Sequence, residues 1–96
     1  MKFNRGKKAV TTAGTRVALG SNQLVSALVI KAEDGNTGKV FPGASDVDNS
    51  DAEQGLNPGE SLSLDWPPSE MGNLADIYID AATNGDGVVF WYLGRS

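Results

Sequence analysis

The sequence predicts an all-β fold: a single small antiparallel β-sandwich, jelly-roll-like, of about seven or eight strands. Three observations lead there. Short apolar runs alternate with turn signals, glycines recurring from Gly14 to Gly94, which is the rhythm of sandwiches and barrels. No stretch holds a helical period across a window of about 11 residues. Within the apolar runs the side chains alternate with a period of two, as pleated strands require. At 96 residues the chain has room for one hydrophobic core.

Residues 1–8 carry Lys2, Arg5, Lys7 and Lys8 without an acid and read as a flexible basic N-terminal arm, with Phe3 as an apolar anchor. The sandwich domain is then 9–96. Strands are expected near Ala9–Thr12, Arg16–Leu19, Leu24–Glu33, Lys39–Phe41, Glu60–Asp65, Leu74–Ala81 and Val88–Leu93, with a further short one around Gly55–Asn57. Asp34-Gly35-Asn36-Thr37-Gly38 joins the third and fourth of these, with glycine where the backbone needs positive φ. Asn57-Pro58-Gly59 is a tight turn, and Thr83-Asn84-Gly85-Asp86-Gly87 closes the last hairpin. Pro42–Gln54 is polar and acidic, and Trp66–Asn73 contains Pro67 and Pro68; both read as loops.

Alternation assigns faces. Leu28, Ile30 and Ala32 face inward, opposite Val29, Lys31 and Glu33. Leu62, Leu64 and Trp66 oppose Ser61, Ser63 and Asp65, and Ile77, Ile79 and Ala81 oppose Asp76, Tyr78 and Asp80. The last strand is different. Val88, Phe90 and Tyr92 share one face and Val89, Trp91 and Leu93 share the other, so both faces are apolar. One faces the core. The other is covered either by the 42–56 or 66–73 segment or by a second protein surface, and Val89, Trp91 and Leu93 are the candidate subunit or partner interface.

Composition narrows the chemistry. There is no Cys and no His, which removes thiolate chemistry, disulfides, the commonest general base and the commonest zinc ligand. No catalytic residues are assigned, and neither a cofactor nor a metal is expected. Asp80, Asn84 and Asp86 resemble part of a calcium loop, but the place of the bidentate Glu is held by Trp91. Asp46, Asp48 and Asp51 form a second acidic group that resembles a calcium site no more closely, and a small metal-dependent hydrolase is a separate alternative reading. Trp66 and Trp91 would together make a sugar-stacking platform.

No apolar run approaches the length of about 20 residues that spans a membrane, and no apolar stretch follows the N-terminal cations as a signal peptide would require. The segment 2–8 carries +4, whereas the remaining 88 residues hold four basic and twelve acidic groups, a balance of −8. Such a body repels phosphates, so neither a nucleic acid nor a membrane is an expected partner.

The order of segments resembles small virion proteins of tailed bacteriophages. The likeness runs through residues 10–93: Val10-Thr11-Thr12-Ala13-Gly14-Thr15-Arg16-Val17-Ala18-Leu19, then Leu28-Val29-Ile30-Lys31-Ala32, Gly35-Asn36-Thr37-Gly38 and Val40-Phe41 with Gly43. It continues with Gly55-Leu56-Asn57-Pro58-Gly59-Glu60-Ser61-Leu62, Asp76-Ile77-Tyr78-Ile79-Asp80 and Val88-Val89-Phe90-Trp91-Tyr92. Phe41-Pro42-Gly43 and Trp66-Pro67-Pro68 depart from it. The resemblance implies a capsid decoration (cement) protein made in the host cytoplasm and carried on the virion surface, with the major capsid protein as partner and a homo-oligomer, preferably a trimer, as the assembly. In that reading Lys2, Phe3, Arg5, Lys7 and Lys8 form a capsid-binding arm while Val89, Trp91 and Leu93 meet a neighbouring copy. The alternative it implies is a receptor- or carbohydrate-binding module of a head or tail fibre.

Overall fold

A computed structural model describes residues 2–50 and 52–94. Eight strands follow in order: β1 (Lys2–Ala9), β2 (Val17–Ala18), β3 (Leu24–Ala32), β4 (Val40–Gly43), β5 (Ser61–Asp65), β6 (Gly72–Asn73), β7 (Tyr78–Ala81) and β8 (Gly87–Gly94). They form two antiparallel sheets. One has the order β1-β8-β3-β5, with β6 also on β3, and the other the order β2-β7-β4. A bridge between Val40 and Leu56 puts the expected Gly55–Asn57 element beside β4. This interleaving of early and late strands is the jelly-roll arrangement, and the fold is a small β-sandwich. Among the described residues no helix is long and apolar enough to cross a membrane.

The core lies between the sheets. Val25, Leu28, Ile30 and Ala32 from β3, with Val88 and Phe90 from β8, meet Val40, Ile79 and Ala81 from the smaller sheet, and Val10, Leu19 and Leu74 close the ends. Each fully buried aliphatic contributes about 1.5–3 kcal/mol relative to exposure. The inward faces expected for β3 and for Ile79 and Ala81 are the observed ones. Strand β3 contains a register shift between Val25 and Ala27. The extra residue re-phases the strand, so Val25 and Leu28 both point inward although their numbers differ in parity. A single unbroken alternation misses that bulge.

Turn chemistry holds the connections. Glu60 N–H donates to Asn57 O at 2.9 Å and Gly59 has φ +86°, a type II turn with proline at its second position and glycine at its third. The 34–38 turn is clasped to the last hairpin. Asn36 pairs its side-chain amide with both backbone groups of Gly87, at 2.8 and 3.0 Å. Asp86 accepts from the amides of Thr37 and Gly38 at 3.0 and 2.8 Å.

Four expectations are corrected. Residues 2–8 are not a loose arm: they belong to β1, which pairs with β8 along its whole length, from Lys2 opposite Gly94 to Ala9 opposite Gly87. The predicted strand at Ala9–Thr12 therefore ends where β1 ends, and Leu74–Asp76 is a 3-10 turn rather than the start of β7. Asp80, placed on a solvated face, is fully buried. Its Oδ1 accepts from the amides of Gly14 and Ala81 at 2.9 and 2.8 Å, and Phe41 beside it on β4 is buried too. The outer face of the smaller sheet is thus sealed by its own loops, Asn49 reaching across to Ala81 O at 2.9 Å. The smaller sheet also accepts Pro42 within β4, an edge position where the missing N–H costs no ladder bond.

Gly87 is the tightest crossing between β1 and β8. A Cβ there would lie 2.3 Å from Lys8 O and 2.7 Å from Ala9 Cα, and backbone gives way less readily than a side chain. Gly87→Ala is expected to lower stability in urea unfolding by about 1–3 kcal/mol and to open the β1 peptide bonds to limited proteolysis before the rest of the chain.

Candidate partner-binding face

Strand β8 is apolar on both sides, and the register shows where each side goes. Val88 and Phe90 are in the core, Tyr92 packs against it, and the rings of Phe90 and Tyr92 stack with centroids 6.0 Å apart. Val89, Trp91 and Leu93 consequently point to the outer face of the five-stranded sheet. Pairing brings Lys31, Val29 and Ala27 of β3 level with them on one side, and Lys7, Arg5 and Phe3 of β1 on the other. In both cases directly opposed residues share a face.

The result is an apolar stripe with a cationic border. Phe3 is 68% exposed, Leu93 38% and Val29 36%, while Val89 and Trp91 are half-buried by their neighbours. Open grooves flank Trp91. One is lined by Phe3, Ala27, Val29 and Leu93, the other by Arg5, Gly6, Lys7 and Val89. Lys7 lies 3.9 Å from Glu33 and Lys31 lies 3.5 Å from Asp34, contacts at the rim that leave the middle of the stripe uncharged. The 42–56 segment, proposed above as cover for this face, lies instead on the smaller sheet, where Gly55 sits against the Phe41 ring.

Two groups of residues that looked separate in the sequence therefore share one surface. Phe3, Arg5 and Lys7 join Val89, Trp91 and Leu93. Lys2 and Lys8 do not, because their even positions in β1 turn them to the opposite face. Ala27, Val29 and Lys31 belong to the stripe and were not assigned to it from sequence. Alternation had already turned Val29 and Lys31 outward; the missing fact was that β3 and β8 are neighbours.

The other candidate groups separate. Asn84 Oδ1 accepts from Ala13 N at 2.7 Å, Asp80 serves Gly14 and Ala81, and Asp86 serves Thr37 and Gly38, so the three look toward different amides. Among the described residues no cluster of three His, Cys, Asp or Glu side chains is placed to hold a metal ion. Asp46 and Asp48 line a concavity with Phe41, Pro42, Gly43, Val47 and Gln54; Asp51 lies outside the described residues. The Asp48 carboxyl is held below the usual carboxylate range by the Ser50 hydroxyl at 2.6 Å, then by the Ser50 amide at 3.0 Å, with a smaller contribution from Arg16. Trp66 packs on the core face over Gly72 while Trp91 faces out, so the two indoles lie on opposite sides of one sheet and make no common platform.

No protein-family model, curated protein or solved structure matches this chain.

Because Phe90 fills the core and Trp91 covers only the outside, the pair should separate in unfolding experiments. Phe90→Ala is expected to cost about 3–5 kcal/mol and Trp91→Ala about 1 kcal/mol; equal losses would mean that the outer face is sealed. A depressed carboxyl pKa favours the fold above its unfolded value and loses that effect as pH falls through the folded value. NMR titration should place the Asp48 midpoint below the ordinary carboxylate range, and Ser50→Ala should move it upward.

Proposed function

We propose that this chain is a structural protein of a tailed-phage virion that decorates the outside of the head, and that it binds the major capsid protein through the outer face of its five-stranded sheet. The observation that carries the binding face is the open stripe of Phe3, Val29, Val89, Trp91 and Leu93, bordered by Arg5, Lys7 and Lys31 on an otherwise acidic domain. Large aromatic and aliphatic anchors inside a charged rim are the anatomy of a protein–protein interface. The virion assignment rests on the resemblance of residues 10–93 to small virion proteins of tailed bacteriophages.

The arm and the β8 patch act as one contact in this reading, not as two surfaces for different partners. The cations steer the domain toward an acidic surface, and Trp91 supplies the buried anchor once it arrives. A ligand that binds only the assembled shell stabilises it by RT ln(1 + [L]/Kd), about 2.7 kcal/mol per site at 100 Kd. Repeated over many sites, modest affinity resists internal pressure. A trimer remains the assembly that the resemblance implies.

Cosedimentation with empty capsids tests the reading. The wild-type chain is expected to pellet with the shells. Trp91→Asp, or Arg5→Glu with Lys7→Glu, should weaken binding by about 30-fold or more, the effect of losing an interface hot spot worth about 2 kcal/mol. Lys2→Glu with Lys8→Glu, on the opposite face, should bind nearly as well as wild type. If the outer-face variants pellet undiminished, or the wild type does not pellet, this reading fails.

A further inference from the structure

The five-stranded sheet ends in two exposed strands. β1 forms one edge and β5 the other, and they are the most exposed of the long strands in the fold, with only Gly6, Lys8 and Leu64 partly covered. No other described strand pairs with the outer side of either. Unpaired strand edges template further pairing unless something prevents it.

Their backbone phase is determined by the pairs they already make. Val10 N–H donates to Asp86 O, so the even residues of β1 bond to β8 and the odd ones, Phe3, Arg5, Lys7 and Ala9, turn their amides to the free edge. Glu60 O and Trp66 N–H both bond to β3, so in β5 the amides of Ser61, Ser63 and Asp65 face outward. Along the row each strand is antiparallel to the next, which makes β1 and β5 antiparallel to each other. A second copy set beside the first in the same sheet therefore presents its β5 to β1 in antiparallel sense, odd residues opposite odd residues. Both the hydrogen-bond phase and the two faces are kept.

Charge selects this pairing over β1 with itself. In the two registers centred on β1, Arg5 of one copy would face either Arg5 or Lys7 of the other, and like charges directly opposed are destabilising. β5 and its flank carry Glu60 and Asp65 and no base. We propose that the chain associates with itself head to tail, Arg5–Ala9 of one copy pairing with Ser61–Asp65 of the next. Arg5 then lies opposite Asp65, Lys7 opposite Ser63, Gly6 opposite Leu64, and Lys8 diagonal to Glu60. The overlap uses the full length of β5. Such a heterologous contact builds a ring where its rotation closes and an open chain where it does not. It is an edge contact, independent of what binds the outer face.

Proline tests it, because each outward amide can be removed without touching an inward bond. Arg5→Pro blocks the β1 edge alone and Ser63→Pro blocks the β5 edge alone. In sedimentation equilibrium the wild type is expected to rise above its monomer mass of 10.0 kDa with increasing concentration. Each variant alone should stay at monomer mass, with a wild-type circular dichroism spectrum as the check on folding. An equimolar mixture should reach twice that mass and no more, since each variant retains the edge that the other lacks. A wild type that remains monomeric at its solubility limit overturns the proposal, as does a mixture that fails to form the dimer. Association that survives Arg5→Pro alone would mean β5 pairing with β5, and association abolished by Trp91→Asp would place the contact on the face; either outcome also overturns it.

Discussion

The pairing of β3 with β8 is the constraint on which the rest depends. The two strands run side by side from Val25 opposite Gly94 to Ala32 opposite Val88, both in the middle of the larger sheet. Their inward residues supply much of the core. Since a strand's two faces are locked together by the pleat, fixing Leu28, Ile30, Val88 and Phe90 inside fixes Val29, Val89 and Trp91 outside. The apolar stripe is thus a geometric consequence of the core register; moving it would require moving the core. The bulge near Ser26 is what lets Val25 stay inside despite this coupling.

The two sheets solve the problem of an exposed face differently. The smaller sheet has three strands and long flanking loops, and those loops fold back over it, burying Phe41 and Asp80, with Gly14 N–H donating to Asp80 and the Asn49 side chain donating to Ala81 O. Asp80 keeps Oδ1 well paired while Oδ2 has no partner among the described residues. The larger sheet has wide strands and short connections. Its turns at 34–38 and 57–59 are held at the sheet's end, the first bonded to Asp86 and Gly87 and the second to Ala32, so neither lies across Trp91. An open apolar face beside a sealed one follows from how loop length is distributed along the chain.

Much of this was legible in the sequence, and the failures have physical reasons. Most strand positions, the Pro58–Gly59 turn, the turn character of the glycine-rich segments and the two-sided character of β8 followed from period and turn chemistry, which are local. The identity of neighbours did not, because β1 pairs with β8 across nearly the whole chain and nothing nearby announces it. Residues 2–8 looked like a tail since, Phe3 apart, their outward and inward positions both lack apolar side chains. Lys2, Asn4 and Lys8 share the inward side with Gly6, and Lys2 and Asn4 remain exposed there, so the usual alternation of an amphipathic strand is absent. Gly6 was the available signal: it lies against the Phe90 ring, where a Cβ would come within 2.6 Å of Cζ. The acidic residues near Gly85 and Gly87 resemble part of a calcium loop because carboxylates that cap turn amides occupy the same kind of sequence as those that bind calcium.

What holds β1 in place bears on what its charges are for. The strand is bound to the domain by its backbone ladder to β8 and by the Gly6–Phe90 contact. Among the described residues its ion pair is Lys7 with Glu33 at 3.9 Å, which joins an exposed lysine to a partly exposed glutamate and is of a kind that contributes little. Lys2, Arg5 and Lys8 form no ion pair among the described residues. The four cations are therefore not needed to keep the strand attached to its acidic body, and they also discourage β1 from pairing with its own copy. The charge of Lys2, Arg5 and Lys8, which no ion pair among the described residues neutralises, remains available to an external anionic surface. On β1 it is held in a fixed geometry, so binding there costs none of the backbone ordering that a loose tail would require.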